Sequence, residues 1–439
     1  MKKLTALISL LLILAMIAGC GGTGKTSSGD ALDDMVTDGE PDVIEIVSWW
    51  DENPVGGDKQ SDLMAKRKKD IEKKYNVEFK FTVVPADDIS PRFITEVMSG
   101  GSLGDLVNMR HYWAFPDYAE KNYLLNISDY IDLENQGYRE KDLEIATYDD
   151  SIYGIPAGDL AQAANIGYVM YFNKSIFQKY NIPEPYDMFK NKTWTWDNVF
   201  DIAKKLTITG TDGKVSTYGL NMLNDYAMVE VMVASHGGTY MEYVNGEPKS
   251  TLTSPNVTNA IDLARKAVFT DKISPSSTES EPKAFKSGKY AMYLGGYYEA
   301  NEFKTEMEDD FGIMPIPLGG DQTEYINFIR ERHFKVAAAT ANKERMKKVL
   351  KIYNEYCAPF ENSEDLLTSE LEAYSCDEDS VEVLREINKD YIVPEYYDNN
   401  TEYWNVVVVQ GVHKALGGSV TSMAAMKAID DAWQAAITK

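Results

Sequence analysis

The chain reads as an α/β protein, and two observations carry that reading. Short apolar segments with strand character alternate with segments whose apolar residues recur at helical spacing. The order strand, helix, strand calls for parallel pairing in a sheet layered with helices. The 439 residues are 44% hydrophobic and 11% aromatic, enough to bury a substantial core in two or three domain-sized units.

Val43 to Ser48 alternates apolar and polar residues and predicts the first strand. Lys59 to Tyr75 carries Leu63, Met64, Ile71 and Tyr75 on one helical face, and Val77 to Val84 returns to strand character. Ile89 to Ser99 and Asp105 to Met109 repeat the unit. Further on, Thr195 can cap a helix whose core face is Val199, Ile202, Ala203 and Leu206. Asp212-Gly213 reads as a hairpin turn ahead of Val215 to Gly219. The last helix, near Thr421 to Ile437, presents Met426, Ile429, Trp433 and Ile437 to a core. Trp194, Trp196 and Trp433 are read as packing residues.

The N-terminus sets the compartment. Lys2 and Lys3 precede an apolar run from Leu4 to Ala18 that breaks at Ile17-Ala18-Gly19-Cys20, the pattern of a secretory signal. At about 15 residues the run falls short of the roughly 20 that span a bilayer. The tetrapeptide resembles the bacterial lipobox, which implies acylation of Cys20 and a lipid anchor on the outer face of the cell membrane. Residues 20–41, rich in Gly, Ser and Asp, read as a flexible tether. Two patterns in the chain mislead. Gly19 to Thr26 satisfies G-x-x-x-x-G-K-[ST], but the acidic tether provides no helix to complete a phosphate site. Gly100-Gly101-Ser102-Leu103-Gly104 fits G-x-S-x-G, yet it follows a helical pattern and precedes a strand, the reverse of a nucleophile elbow.

Composition excludes further classes. With 44 basic against 69 acidic residues, the net charge of −25 repels phosphate backbones, so nucleic acid is a poor partner. Four scattered histidines and no Cys-x-x-Cys indicate no metal site, and no cofactor motif stands out. Beyond Cys20 there are only Cys357 and Cys376, and spacing alone leaves open whether they pair.

Five motifs in a fixed order carry a more specific resemblance. They are Tyr153-Gly154-Ile155-Pro156, Met170-Tyr171-Phe172-Asn173-Lys174, Thr193-Trp194-Thr195-Trp196-Asp197, Ala284 to Met292, and Phe311 to Pro317. Behind a lipobox, this order resembles family 1 extracellular solute-binding proteins of the maltose-binding type. The resemblance implies two α/β lobes joined by a hinge around an interlobe ligand cleft. One lobe would be 42–158 plus 337–392 and the other 162–333 plus 395–439. It also implies a monomeric binding protein, not an enzyme, that hands an oligosaccharide or related carbohydrate to the permease of an ABC importer. A peptide or cationic amine is the alternative ligand, and an exported hydrolase or sensor lipoprotein the alternative class.

Sugars are held by flat aromatic faces and short polar groups, and in α/β sheets the crevice lies beyond the carboxyl ends of the strands. The first strand ends in Trp49-Trp50-Asp51-Glu52-Asn53, and the strand at Leu106 ends in Arg110-His111-Tyr112-Trp113. Trp49, Trp50, Asp51, Arg110, His111 and Trp113 are therefore candidate ligand residues, with only one of the paired tryptophans facing the cleft if both lie on a strand. By resemblance, Tyr297, Trp404 beside Tyr403, and Tyr226 correspond to cleft aromatics, and Asp159 lies near a cleft carboxylate.

Overall fold

The computed structural model describes residues 39–57, 59–133, 137–156, 164–221, 226–244, 247–275, 281–393, 410–417 and 420–437. Cys20, Asp159, Tyr403 and Trp404 lie outside the described residues. The strands, in chain order, are β1 (Asp42–Ser48), β2 (Val77–Val83), β3 (Leu106–Arg110), β4 (Thr147–Tyr148), β5 (Ser151–Ile152), β6 (Ile155–Pro156) and β7 (Tyr168–Asn173). They continue with β8 (Ile208–Thr209), β9 (Val215–Leu220), β10 (Met241–Val244), β11 (Glu247–Ser250), β12 (Tyr290–Gly296), β13 (Phe311–Met314) and β14 (His333–Val336).

Two five-stranded sheets organise the molecule, in the orders β2-β1-β3-β14-β6 and β13-β7-β12-β9-β8. In the first, β1 runs parallel to β2 from Asp42↔Val77 to Ser48↔Val83 and parallel to β3, as the strand, helix, strand order requires. The helices Lys59–Tyr75 and Ala86–Met98 make the crossovers. Each sheet is covered on both faces. Ile44 and Ile46 of β1 pack with Ile71 and Leu350 on one side, while Val47 turns to Phe93 and Met109 on the other. In β7, Met170 and Phe172 enter the core that holds Trp194, Trp196 and Trp433, and Val169 and Tyr171 face Phe285 and Phe303. This is period-two burial between helix layers. Thr195 caps the helix Trp196–Leu206, and the β8–β9 hairpin turns at Gly213, whose φ is +78°. Ser102 sits in a loop, where its neighbour Gly104 lies against Val47: a Cβ there would come within 2.7 Å of the Val47 side chain.

The lobe division implied by the resemblance needs correction in two places. β14 pairs with β3 and β6, so His333 belongs to the first sheet rather than closing the second lobe. The helix Lys343–Cys357 does pack on the first sheet through Met346, Val349 and Leu350. The helices Ser363–Tyr374 and Glu378–Ile387, however, send Leu371, Leu384 and Ile387 into the core of the second sheet. Polar contacts pin them there. Asp377 accepts a hydrogen bond from Tyr186 Oη (2.8 Å) and pairs with Lys174 Nζ (2.7 Å), and Ser380 Oγ accepts from the Ile313 amide (2.9 Å). Cys357 and Cys376 are free, one in the core of the first sheet and the other packed against the second.

The chain passes between the sheets at segments that are stitched to one another. Asn327 donates through Nδ2 to the Asn165 carbonyl (2.8 Å) and accepts at Oδ1 from the Gly167 amide (2.9 Å). Ile392 N donates to the Asn327 carbonyl (2.8 Å) and Ile329 N to the Ile392 carbonyl (2.9 Å). Gly167 is required because a Cβ there would lie 1.9 Å from the Phe328 carbonyl oxygen. At the centre, Arg332 clasps Asp142 through Nε and Nη2 (2.7 and 3.0 Å) and donates from Nη1 to Asn165 Oδ1 (2.7 Å). Tyr391 Oη donates to the same carboxylate at 2.6 Å.

Trp433, 1% exposed in the helix Ser422–Ile437, packs among Met426, Ile429 and Val412. Trp433→Ala is expected to lower stability by about 3–5 kcal/mol, read from urea unfolding, because the cavity cannot collapse between two layers.

Candidate ligand-binding site

The carboxyl ends of β1 and β3 and the start of β14 converge on one cluster. After β1 the chain delivers Trp49 and Trp50, whose rings meet edge to face at 4.7 Å. Trp49 turns inward against Trp113 (5.6 Å), while Trp50 remains 40% exposed. Both tryptophans follow the end of β1 rather than lying on it, so strand alternation does not set their directions, and Trp50 is the more exposed of the two. Asp51 is exposed and accepts the Asn53 amide (2.9 Å). Glu52 turns back to Lys335 Nζ at 2.7 Å, neutralising a lysine only 2% exposed.

Arg110 lies over the rings of Trp113 and Trp49, at 4.5 and 5.1 Å from their centroids, and its Nε is 3.0 Å from Glu331 Oε2. Tyr112 Oη donates to the same oxygen at 3.0 Å. His333 Nε2 stands 3.2 Å from the other oxygen, Oε1. The His333 ring then contacts Trp49 edge-on (5.0 Å) and Trp50 at a tilt (5.3 Å). The result is an aromatic patch with a carboxylate, a guanidinium, a phenol and an imidazole fixed at its border. That combination can hold an apolar ring face and hydrogen-bond its substituents.

Charge states follow from these neighbours. Burial alone would raise the Glu331 carboxyl, but the hydrogen bond and charge of His333, with Arg110 and Tyr112, hold it down at about 2. Burial, reinforced by Glu331, pushes the Tyr112 hydroxyl far up, so it serves as a donor. Burial lowers His333 below its ordinary value, and the positive charges of Lys335 and Arg332 add to that against the pull of Glu331.

Several expected site residues fall elsewhere. His111 is buried (7% exposed) and accepts the Arg332 amide at Nδ1 (3.1 Å), so it supports the crossing segment. Trp113 is 8% exposed and backs Trp49 and Arg110. Tyr297, proposed by resemblance as a stacking surface, is 5% exposed and packs against Tyr374 in the core of the second sheet (5.6 Å). The backbone of Tyr226 opens the helix Tyr226–Ser235, whose Glu230 pairs with Arg330 at 3.3 Å. Asp159 and Trp404 lie outside the described residues. The run Arg330-Glu331-Arg332-His333 is the element that sequence reasoning missed. Its signal was four ionisable residues in succession between the apolar pair Phe328-Ile329 and Phe334, too many for a core segment without a polar task.

A separate recess of about 1120 Å³ is lined wholly by residues between Ser128 and Ile152, Asp129, Asp132, Glu140 and Glu144 among them. It gathers no residue of the second sheet. Among the described residues no group of His, Cys, Asp and Glu is placed to hold a metal ion, and no helix is long and apolar enough to cross a membrane.

The depressed Glu331 carboxyl contributes stability at pH values above its ordinary 4.5, and that contribution is lost as the pH falls toward about 2. Urea unfolding across this window is expected to show the wild type losing more stability than Glu331→Gln, which has no proton to take up.

Three solved structures show what the fold is similar to. A substrate-binding protein of an ABC transporter from Listeria monocytogenes, in complex with cycloalternan, is 18% identical with a TM-score of 0.67, covering 89% of this chain and 98% of its own. The maltose/maltodextrin-binding domain MalE from Bdellovibrio bacteriovorus, bound to maltotriose, is 16% identical with a TM-score of 0.64, covering 90% and 100%. UgpB from Mycobacterium tuberculosis, in complex with glycerophosphocholine, is 15% identical with a TM-score of 0.66, covering 90% and 98%. These likenesses establish the two-lobe α/β architecture of periplasmic binding proteins. No protein of curated function matches the sequence. The family model for bacterial extracellular solute-binding proteins matches residues 55–353, well over half of the chain, and the chain belongs to that family.

Proposed function

We propose that the protein is the lipid-anchored substrate-binding component of an ABC importer and that it captures an oligosaccharide in the cleft bordered by Trp50. Its family is extracellular, which sets the protein outside the cytoplasm. The observation that carries the carbohydrate reading is the half-exposed Trp50 ring beside Glu331, Arg110 and His333, at the carboxyl ends of β1 and β3. Asp51 stands at the same edge, and Asp159, Tyr226 and Trp404 are proposed, by resemblance, as further ligand residues. The lobes are 42–156 with 333–357, and 164–332 with 363–437. Acyl chains on Cys20 tether a monomer to the outer face of the membrane, where it delivers ligand to a permease without altering it.

A cationic amine fits this cluster poorly. The faces of Trp49 and Trp113 that would hold an ammonium group are already covered by Arg110, and Glu331 is already neutralised by it. The neutral ligands of two of the similar structures, maltotriose and cycloalternan, agree with that electrostatic balance.

Calorimetric titration with maltotriose, maltotetraose and cycloalternan tests the reading. Trp50→Ala is expected to weaken binding by about 5- to 150-fold, the loss of about 1–3 kcal/mol of apolar contact, at unchanged melting temperature. Equal affinity of variant and wild type would remove Trp50 from the site. For the anchor, Cys20→Ala is expected to abolish partition with membranes, measured by fractionation, whereas equal retention of both forms would refute acylation.

A further inference from the structure

The His333 side chain is 27% exposed and makes one hydrogen bond among the described residues, through Nε2 to Glu331. Because Glu331 is ionised, it has lone pairs and no proton to give, so the proton of that bond sits on His333 Nε2. A neutral imidazole carrying its hydrogen there leaves Nδ1 as an acceptor. The ring is fixed in the angle between Trp49 and Trp50, so the imidazole borders the exposed face of Trp50.

We propose that His333 is the specificity-determining residue of the site: locked by Glu331 as the Nε2–H tautomer, it takes at Nδ1 the hydroxyl proton of a sugar ring stacked on Trp50. The proposal rests on the carbohydrate reading above. It assigns a preference for ligands with a donor on the ring edge, since a methyl ether or deoxy position would leave Nδ1 unsatisfied. The ionisable groups around the imidazole are Glu331 and Lys335 on its own strand and the preceding turn, Arg332 committed to Asp142, Arg110 from β3, and Glu52 bound to Lys335. Glu331, held down at about 2, stays ionised at neutral pH and keeps accepting from Nε2.

Two side chains separate the roles of the ring nitrogens. Gln at 333 reproduces the Nε2 donor to Glu331 and lacks the Nδ1 acceptor, while Asn places a polar atom near Nδ1 and drops the Glu331 contact. For whichever of maltotriose, maltotetraose and cycloalternan binds, His333→Gln is expected to weaken affinity about tenfold and His333→Asn by less. Long-range ¹H–¹⁵N spectra of the free wild-type protein are expected to show the His333 proton on Nε2. A proton on Nδ1, or equal affinity of wild type and His333→Gln, would overturn the proposal and leave the carbohydrate reading intact. Failure of the wild type to bind any of the three sugars would overturn both.

Discussion

The buried clasp of Arg332 on Asp142 is the constraint around which the molecule is arranged. Asp142 is fully buried and Arg332 nearly so, and neither could stay charged there alone. Separating such a pair costs about 3–5 kcal/mol, chiefly because the remaining charge is left without water or partner. Here the geometry is bidentate, and Tyr391 and Asn165 take up further lone pairs and protons. The network therefore specifies position as much as it contributes energy. It holds the passages at Asn165, Arg332 and Tyr391 at one point, between sheets whose cores are otherwise independent.

From that point the site follows. With Arg332 turned toward Asp142, its neighbours in the extended chain turn the other way, so Glu331 meets Arg110 and Tyr112. Glu331 then orients His333, and the imidazole and Arg110 together brace the paired tryptophans. His111 closes the circuit by accepting the Arg332 amide from the adjacent strand. The aromatic patch around Trp50 is thus held in place by its polar neighbours, and a surface fixed in advance lowers the ordering cost of whatever it binds.

Much of this architecture was legible in the residues. The first parallel unit, the Thr195 cap, the hairpin at Gly213 and the burial of Trp194, Trp196 and Trp433 all follow from period, capping and turn chemistry, which act over a few residues. What stayed hidden was non-local. Periodicity gives the helix Glu378–Ile387 an apolar face, but the choice of sheet depends on Asp377 finding Tyr186 and Lys174, about 190 and 200 residues away. Tyr297 has the composition of a cleft residue, and only the packing of Tyr374 over it makes it core. Glu331 and His333 were passed over because scattered histidines and abundant carboxylates carry no signal until a fold brings two of them to 3.2 Å.

The alternation along Arg330 to His333 has an evolutionary corollary. Arg330 reaches Glu230 on the helix Tyr226–Ser235, Glu331 and His333 border the aromatic patch at Trp50, and Arg332 holds the crossing. These contacts alternate residue by residue along the short segment that leads into β14, so a single insertion or deletion there would exchange the two sets at once. Selection for a different ligand would find that segment nearly frozen. Diversification would instead be channelled into the loop that follows Trp50, where Val55 is exposed and Asp51, also exposed, accepts the amide of Asn53 within its own turn.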